Sequence, residues 1–193
     1  MRIIAGKYKG KVLKEFELNS TRPTADLVRG AIFNIIGANI QNAIFLDLFA
    51  GTGAMGIEAI SRGASQVVFV DKNADAIKLI KTNLKLLKDE NYLVLNNDFF
   101  EALKQFDNQN LDFDYIFIDP PYSTDCAEKS FKIIYKYSLL KKTGLIIWEH
   151  DESKLELLKY FNDSKITRKY GRKYVTIMNN EILEKFIKIQ NNE

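Results

Sequence analysis

The sequence predicts an α/β protein built on a doubly wound, largely parallel sheet, and three observations carry that prediction. Short apolar runs alternate with segments of helical periodicity along most of the 193 residues. One such run, Ile44-Phe45-Leu46-Asp47-Leu48, leads into Gly51, Gly53 and Gly56 and then into a helical pattern. Another, Tyr115-Ile116-Phe117-Ile118, delivers Asp119-Pro120-Pro121-Tyr122. In open α/β sheets, ligands bind outside the carboxyl ends of strands, where both loops fall.

A chain of 193 residues suffices for one well-buried domain and is short for two. The expected division is an amino-terminal arm and helix over residues 1–40, packed on a main domain over residues 41–193. Hydrophobic residues at 46% and charged ones at 27% are those of a soluble globular protein. No apolar run nears the roughly eighteen residues of a membrane span, and Met1 to Lys7 lacks the apolar core of a signal peptide, so a cytoplasmic protein is expected. Cys126 and His150 are the sole cysteine and histidine, which excludes an intramolecular disulfide and makes a metal site unexpected. Cys126 is expected to be inert and His150 to be a satisfied surface or loop residue.

The net charge of +3 is only mildly basic, but its distribution is uneven. Arg2, Lys7, Lys9, Lys11 and Lys14 crowd the start; Arg168, Lys169, Arg172 and Lys173 crowd a turn at Gly171. Each cluster reads either as solvated surface or as a grip for a polyanion.

In chain order, Met1 to Asn19 alternates loosely around Gly6 and Gly10 and predicts one or two short strands or a hairpin. Pro23 ends that extended chain, and Thr24 is placed to cap a helix with Asp26 in its first turn. Leu27, Val28, Ala31, Ile32, Ile35 and Ile36 give this helix one apolar face, although Gly30 weakens it. The central strand and helix follow, then a strand over Gln66–Val70 ending at Asp71, and a helix over Ala74–Leu87 with Ile77, Ile80, Leu84 and Leu87 inward. Tyr92–Leu95 predicts a third strand ending at Asn97-Asp98-Phe99, with a short helix over Phe100–Phe106. After the strand ending at Asp119 come a helix over Ala127–Leu140, a strand over Gly144–Glu149 and a helix over Leu155–Phe161. Two strands joined at Gly171, Lys165–Tyr170 and Lys173–Met178, imply at least one antiparallel pair, and Glu181–Ile189 predicts a terminal helix.

The chemistry lies in the two loops. Gly51, Gly53 and Gly56 satisfy G-x-G-x-x-G and Asp71 is spaced to hold a ribose, a pattern equally compatible with a dinucleotide enzyme and with a methyl-donor enzyme. Asp47, a carboxylate in a buried strand, is expected to face a ligand or the amides of the loop. Asp119-Pro120-Pro121-Tyr122 separates the two readings. Asp119 and the carbonyl of Pro120 can accept the two hydrogens of an exocyclic amine, the prolines stiffen the loop, and Tyr122 offers a face on which an extruded base stacks. S-adenosylmethionine suits the first loop: glycine amides for its methionine end, Asp71 for both ribose hydroxyls, Asp98 for the adenine amine.

These residues resemble the bacterial family that methylates N2 of a guanine in 16S ribosomal RNA. The resemblance covers most of the chain. It is carried by Arg2-Ile3-Ile4-Ala5-Gly6, Arg22-Pro23-Thr24, Arg29, Phe33-Asn34, Leu46-Asp47-Leu48-Phe49-Ala50-Gly51, Gly53-Ala54, Gly56-Ile57-Glu58-Ala59 and Asp119-Pro120-Pro121-Tyr122. It implies a seven-stranded, Rossmann-like S-adenosylmethionine-dependent fold acting as a monomer. Donor contacts would come from Asp47, Gly51, Gly53, Asp71 and Asp98, with Thr24, Phe49, Ala50, Lys72, Asn97 and Phe99 around them. Asp119 to Tyr122 would be catalytic, and Lys7, Lys9, Lys11, Arg22 and Arg29 would meet 16S RNA or a small-subunit assembly particle. Two departures stand out: Gly30 occupies a position where the family usually has an acid, and Lys9 and Lys11 stand where it often has arginine, whose bidentate phosphate recognition lysine lacks. The alternatives are a DNA adenine-N6 methyltransferase, for which no insertion is large enough to be a target-recognition region, and a nucleic-acid-binding protein with a disused donor pocket.

Overall fold

The computed structural model describes residues 1–16, 23–88, 91–121, 124–154 and 166–190. Its seven strands are β1 (Ile44–Leu48), β2 (Gln66–Asp71), β3 (Tyr92–Asn96), β4 (Phe113–Ile118), β5 (Leu140–His150), β6 (Ile166–Tyr170) and β7 (Lys173–Met178). They form one sheet in the order β3-β2-β1-β4-β5-β7-β6. Six α-helices accompany it: α1 (Pro23–Ile36), α2 (Ala54–Ser61), α3 (Ala74–Leu84), α4 (Phe99–Asn108), α5 (Cys126–Lys136) and α6 (Asn180–Gln190). The chain divides into two compact units, Met1–Phe99 and Phe100–Glu193.

In the first unit β1, β2 and β3 run parallel, with Phe45 opposite Val67 and Phe69 opposite Val94. Phe45, Leu46, Leu48 and Val67 to Val70 are buried, which is why these strands read as unbroken apolar runs rather than alternating ones. Helix α2 is buried on nearly every side. A Cβ on Gly56 would stand 2.2 Å from the Phe69 ring, so Gly56 lets this helix lie close on β2. Helix α3 buries Ile77, Ile80 and Leu84 while Lys78, Lys81 and Lys85 stay exposed, as its periodicity predicts.

Among the described residues the amino-terminal segment forms a single antiparallel bridge, Arg2 to Val12, instead of regular strands. It is closed by the N–H groups of Ile3, Gly10 and Leu13, which donate to the carbonyls of Lys11, Ile3 and Met1.

In the second unit β4 and β5 are parallel, and β7 runs antiparallel to both β5 and β6, giving the antiparallel pairs expected. Phe131 on α5 meets Trp148 on β5 at 5.2 Å and Phe186 on α6 at 5.6 Å, both edge to face, so one aromatic cluster joins the three elements.

Several expected boundaries move. Helix α1 starts at Pro23, so Thr24 lies within its first turn rather than preceding it as a cap; proline's missing N–H costs nothing there. Helix α3 stops at Leu84, and Leu86 and Leu87 close tighter turns onto Asn83 and Leu84. Helix α5 stops at Lys136, with Ser138 at a positive φ of 52°, and the expected last turn through Leu140 instead opens β5. Strand β5 is longer than expected because a register shift opposite Phe113 and Tyr115 absorbs the Lys141 to Gly144 stretch. The helix expected over Leu155–Phe161 lies outside the described residues.

His150 is not a surface residue: it is 1% exposed at the end of β5. Its Nδ1 lies 2.9 Å from the Asp151 carbonyl and its Nε2 2.9 Å from Thr176 Oγ1, with the Trp148 and Tyr174 rings nearby. Burial holds its pKa below the usual 6.5, so it is a neutral, fully partnered core group.

Candidate active site

The loop after β1 is held by backbone amides and carboxylates of the first unit. The N–H groups of Phe49 and Ala50 both donate to the Val70 carbonyl, at 3.1 and 2.9 Å, and that of Gly53 to Ala50 at 2.7 Å. Phe49 carries a φ of 95°, a costly conformation for an aromatic residue and one that marks sites where loop geometry is used. Its ring lies 5.4 Å from that of Phe99. Gly53 has a φ of 77°, and a Cβ there would come within 3.0 Å of Ile80 Cγ1, so the position admits glycine on both counts.

Each sequence-predicted acid of this loop has a defined task. Asp47 is 1% exposed and its Oδ2 accepts the Gly56 N–H at 2.9 Å, which fits the expectation that it serves the amides of the loop. Burial pushes its carboxyl from the usual 3.8 up to about 7; the Gly56 N–H lowers it and the nearby Asp71 charge raises it further. Asp71 braces the loop from β2: Oδ2 accepts the Gly51 N–H and Oδ1 the Asn73 N–H, each at 2.8 Å. The β3 end is tied to the same place by Asn97 N–H on the Asp71 carbonyl and by Asn96 Nδ2 on the carbonyls of Asp71 and Lys72. Asn97 Oδ1 accepts the Asp98 N–H at 2.9 Å, while Lys72 and Asp98 are exposed.

This arrangement fits an adenosyl donor. The space into which a Gly51 side chain would project is open to beyond 4 Å. Each Asp71 oxygen is shown with one amide, leaving lone pairs for hydroxyl donors.

In the second unit, Asp119 follows β4 half-buried, Pro120 is buried and Pro121 exposed. The Pro121 carbonyl accepts from both the N–H and the Oγ1 of Thr124, at 3.2 and 2.7 Å. Lys154 then ties the loop's exit down, donating to the Thr124 carbonyl at 3.0 Å and to Glu128 at 2.7 Å. Tyr122 lies outside the described residues, as do Arg22 and the side chain of Thr24.

Of the predicted RNA-facing residues, Lys7, Lys9 and Lys11 are exposed on the amino-terminal segment, with Lys7 and Lys11 Nζ 5.2 and 5.1 Å from the buried Tyr8 ring. Arg29 is placed otherwise. It is 3% exposed, donates to the Arg2 carbonyl at 2.6 Å and to Asp26 at 2.9 Å, and lies 3.6 Å from Glu58. It therefore fastens the segment to the body instead of offering a guanidinium to phosphates. Sequence reasoning missed its partner: Glu58, buried on α2, accepts the N–H groups of Ile4 and Ala5 and pairs with Arg62 at 2.7 Å. A charged residue set between Ile57 and Ala59 in an apolar helix was the available signal.

Residues 1–179 match the model of a family described as Conserved hypothetical protein 95. The chain belongs to this family. Among its relatives, "Putative rRNA methyltransferase YlbH" of Bacillus subtilis is 41% identical over 180 residues, 92% of this chain and 97% of that one. Ribosomal RNA small subunit methyltransferase D of Haemophilus influenzae is 36% identical over 156 residues, covering 80% of each chain. A solved T. thermophilus 16S rRNA N2 guanine methyltransferase, in complex with AdoMet and guanosine, superposes with a TM-score of 0.68 over 85% of this chain and 44% of that one at 22% identity, a likeness of fold. Among the described residues no helix is long and apolar enough to cross a membrane, and no cluster of potential metal ligands occurs.

Proposed function

We propose that this chain transfers the methyl group of S-adenosylmethionine to the exocyclic N2 amine of a guanine in 16S ribosomal RNA. The observation that carries this reading is that one chain holds both a braced glycine loop after β1 and Asp119-Pro120-Pro121 after β4, in a family whose relatives are named as ribosomal RNA methyltransferases. The donor, when bound, supplies an electrophilic methyl on a sulfonium sulfur. The remaining tasks fall to the chain's own residues. Asp71 accepts from the ribose hydroxyls, Asp98 from the adenine amine, and the loop around Phe49, Ala50, Gly51 and Gly53 lets the ligand approach the backbone. Asp119 and the Pro120 carbonyl each accept one hydrogen of the target amine, which fixes the orientation of its nitrogen. Orientation of this kind supplies several kcal/mol. Bound donor would give up its methyl with cleavage of the S–C bond and leave as S-adenosylhomocysteine; the chain's own part would be to take the proton the amine loses, at Asp119, and to offer Tyr122 as the stacking face for the extruded base.

Lys7, Lys9 and Lys11 form the phosphate-contacting side of the same reading, and a guanine in structured ribosomal RNA is the target they would present. The test is mass spectrometry of nucleosides after incubating small-subunit RNA, or assembly particles from a strain lacking the gene, with enzyme and labelled donor. N2-methylguanosine is the expected product. N6-methyladenosine alone, or product only on DNA, refutes the assignment.

A further inference from the structure

Asn83, near the carboxyl end of α3, is fully buried, and its carboxamide is used on both edges. Oδ1 accepts the Lys14 N–H at 2.8 Å, and Nδ2 donates to the Lys14 carbonyl at 3.1 Å. Nδ2 also donates to the carbonyl of Thr52, between Gly51 and Gly53, at 3.1 Å. One side chain thus clips the backbone of the basic segment and the glycine loop together.

The two structures share a second support. Helix α2, which the glycine loop opens, carries Glu58 and Ser61. Glu58 holds the N–H groups of Ile4 and Ala5; Ser61 Oγ accepts from Tyr8 N–H at 3.0 Å and donates to the Ala5 carbonyl at 2.6 Å. The fit around Gly6 is tight: a Cβ there would lie 1.8 Å from the Ser61 carbonyl oxygen, at a φ of 82°.

We propose that Asn83 is a positioning residue that couples docking of the basic amino-terminal segment to the conformation of the glycine loop, so that donor binding and RNA binding strengthen one another. The physical reason is that a buried amide cannot lose one partner cheaply. If the segment lifts, Asn83 is left with unpaired groups and is free to turn from Thr52; if the loop shifts, the clip on Lys14 loosens. Any ligand that orders one side lowers the cost of ordering the other, and the coupling is reciprocal. The proposal rests on the donor reading given above.

Three measurements on the full chain test it. Calorimetry with S-adenosylhomocysteine on Asn83→Asp, which keeps an acceptor for Lys14 N–H but turns an oxygen toward the Thr52 carbonyl, should show affinity weakened about tenfold. Gly6→Ala displaces the segment where it packs on Ser61, at the opposite end of α2 from the loop, and it should weaken product binding several-fold in the Asn83 background and have little further effect in Asn83→Asp. Additive losses, or a Gly6→Ala variant that binds like wild type, overturn the coupling. Because either variant can lower stability, the third measurement uses wild type: saturating S-adenosylhomocysteine should slow amide hydrogen exchange across residues 1–14 several-fold. Unchanged exchange there, with binding confirmed, refutes the proposal while leaving the donor reading intact. Wild type that does not bind the product at all refutes both.

Discussion

The loop after β1 and the loop after β4 are built on different principles. The first is held by side chains reaching to its backbone: Asp71 to Gly51, Asn83 to Thr52 and Asp47 to Gly56. The second is stiffened from within by consecutive prolines and secured at its exit by Thr124 and Lys154. In the first loop Asp71 braces the backbone and is proposed to contact the ligand, so altering it should disturb shape and binding together. In the second, Asp119 is expected to act on the target amine, so its removal should fall on methyl transfer more than on donor binding.

The largest effect expected from this contrast is at Asp119. Asp119→Ala should lower methyl transfer by at least about a hundredfold while calorimetric affinity for S-adenosylhomocysteine stays within about twofold. A parallel loss of donor affinity would erase the distinction between the loops.

Asp71→Ala should do what Asp119→Ala does not. Loss of the ribose acceptors and of the Gly51 brace should weaken donor binding by about 1–3 kcal/mol and lower the melting temperature as well. An Asp71→Asn variant, which keeps an acceptor for one amide, should recover more stability than affinity.

Asp47 sharpens the scaffold side through pH. Its folded carboxyl sits at about 7, above the usual 3.8, so folding takes up a proton between those values. The stability this contributes is full below about pH 4 and fades as pH rises through about 7. Urea unfolding of wild type and Asp47→Asn between pH 5 and 8 should show wild type losing stability relative to the variant as pH increases. A difference that grows in wild type's favour would contradict the assigned burial. The smallest effect is on the RNA side: replacing Lys7, Lys9 and Lys11 by alanine should reduce the salt dependence of RNA binding by up to about three counterions and leave donor affinity unchanged.

Much of this was legible in the sequence because it depends on local pattern. Unbroken apolar runs announced β1, β2 and β4, and helical spacing announced α1 and α3, since burial on both faces and on one face leave different periodicities. The G-x-G-x-x-G spacing located the first loop, but only the packing reveals that Gly56 makes room for Phe69. His150 was misplaced because nothing local distinguishes a histidine capping a surface turn from one bonded to Thr176 on a distant strand. The resemblance assigned Arg29 to RNA, and nothing local to a helical arginine marks its burial against Glu58.

By itself, the sequence determined the order of strands and helices, the two loops that carry chemistry, the resemblance to 16S ribosomal RNA methyltransferases and the exposed basic face at the start. The elements and loops follow from hydrophobic periodicity and turn residues, the basic start from residue type, and the resemblance from the motif blocks themselves, all readable within a few neighbouring positions. Only the tertiary structure decided which polar groups are scaffold. Glu58, Asn83 and Arg29 are each buried and bonded to backbone groups from segments distant in sequence. The cost of burying a polar group is set by the partner that meets it in space, and no spacing along the chain records that partner.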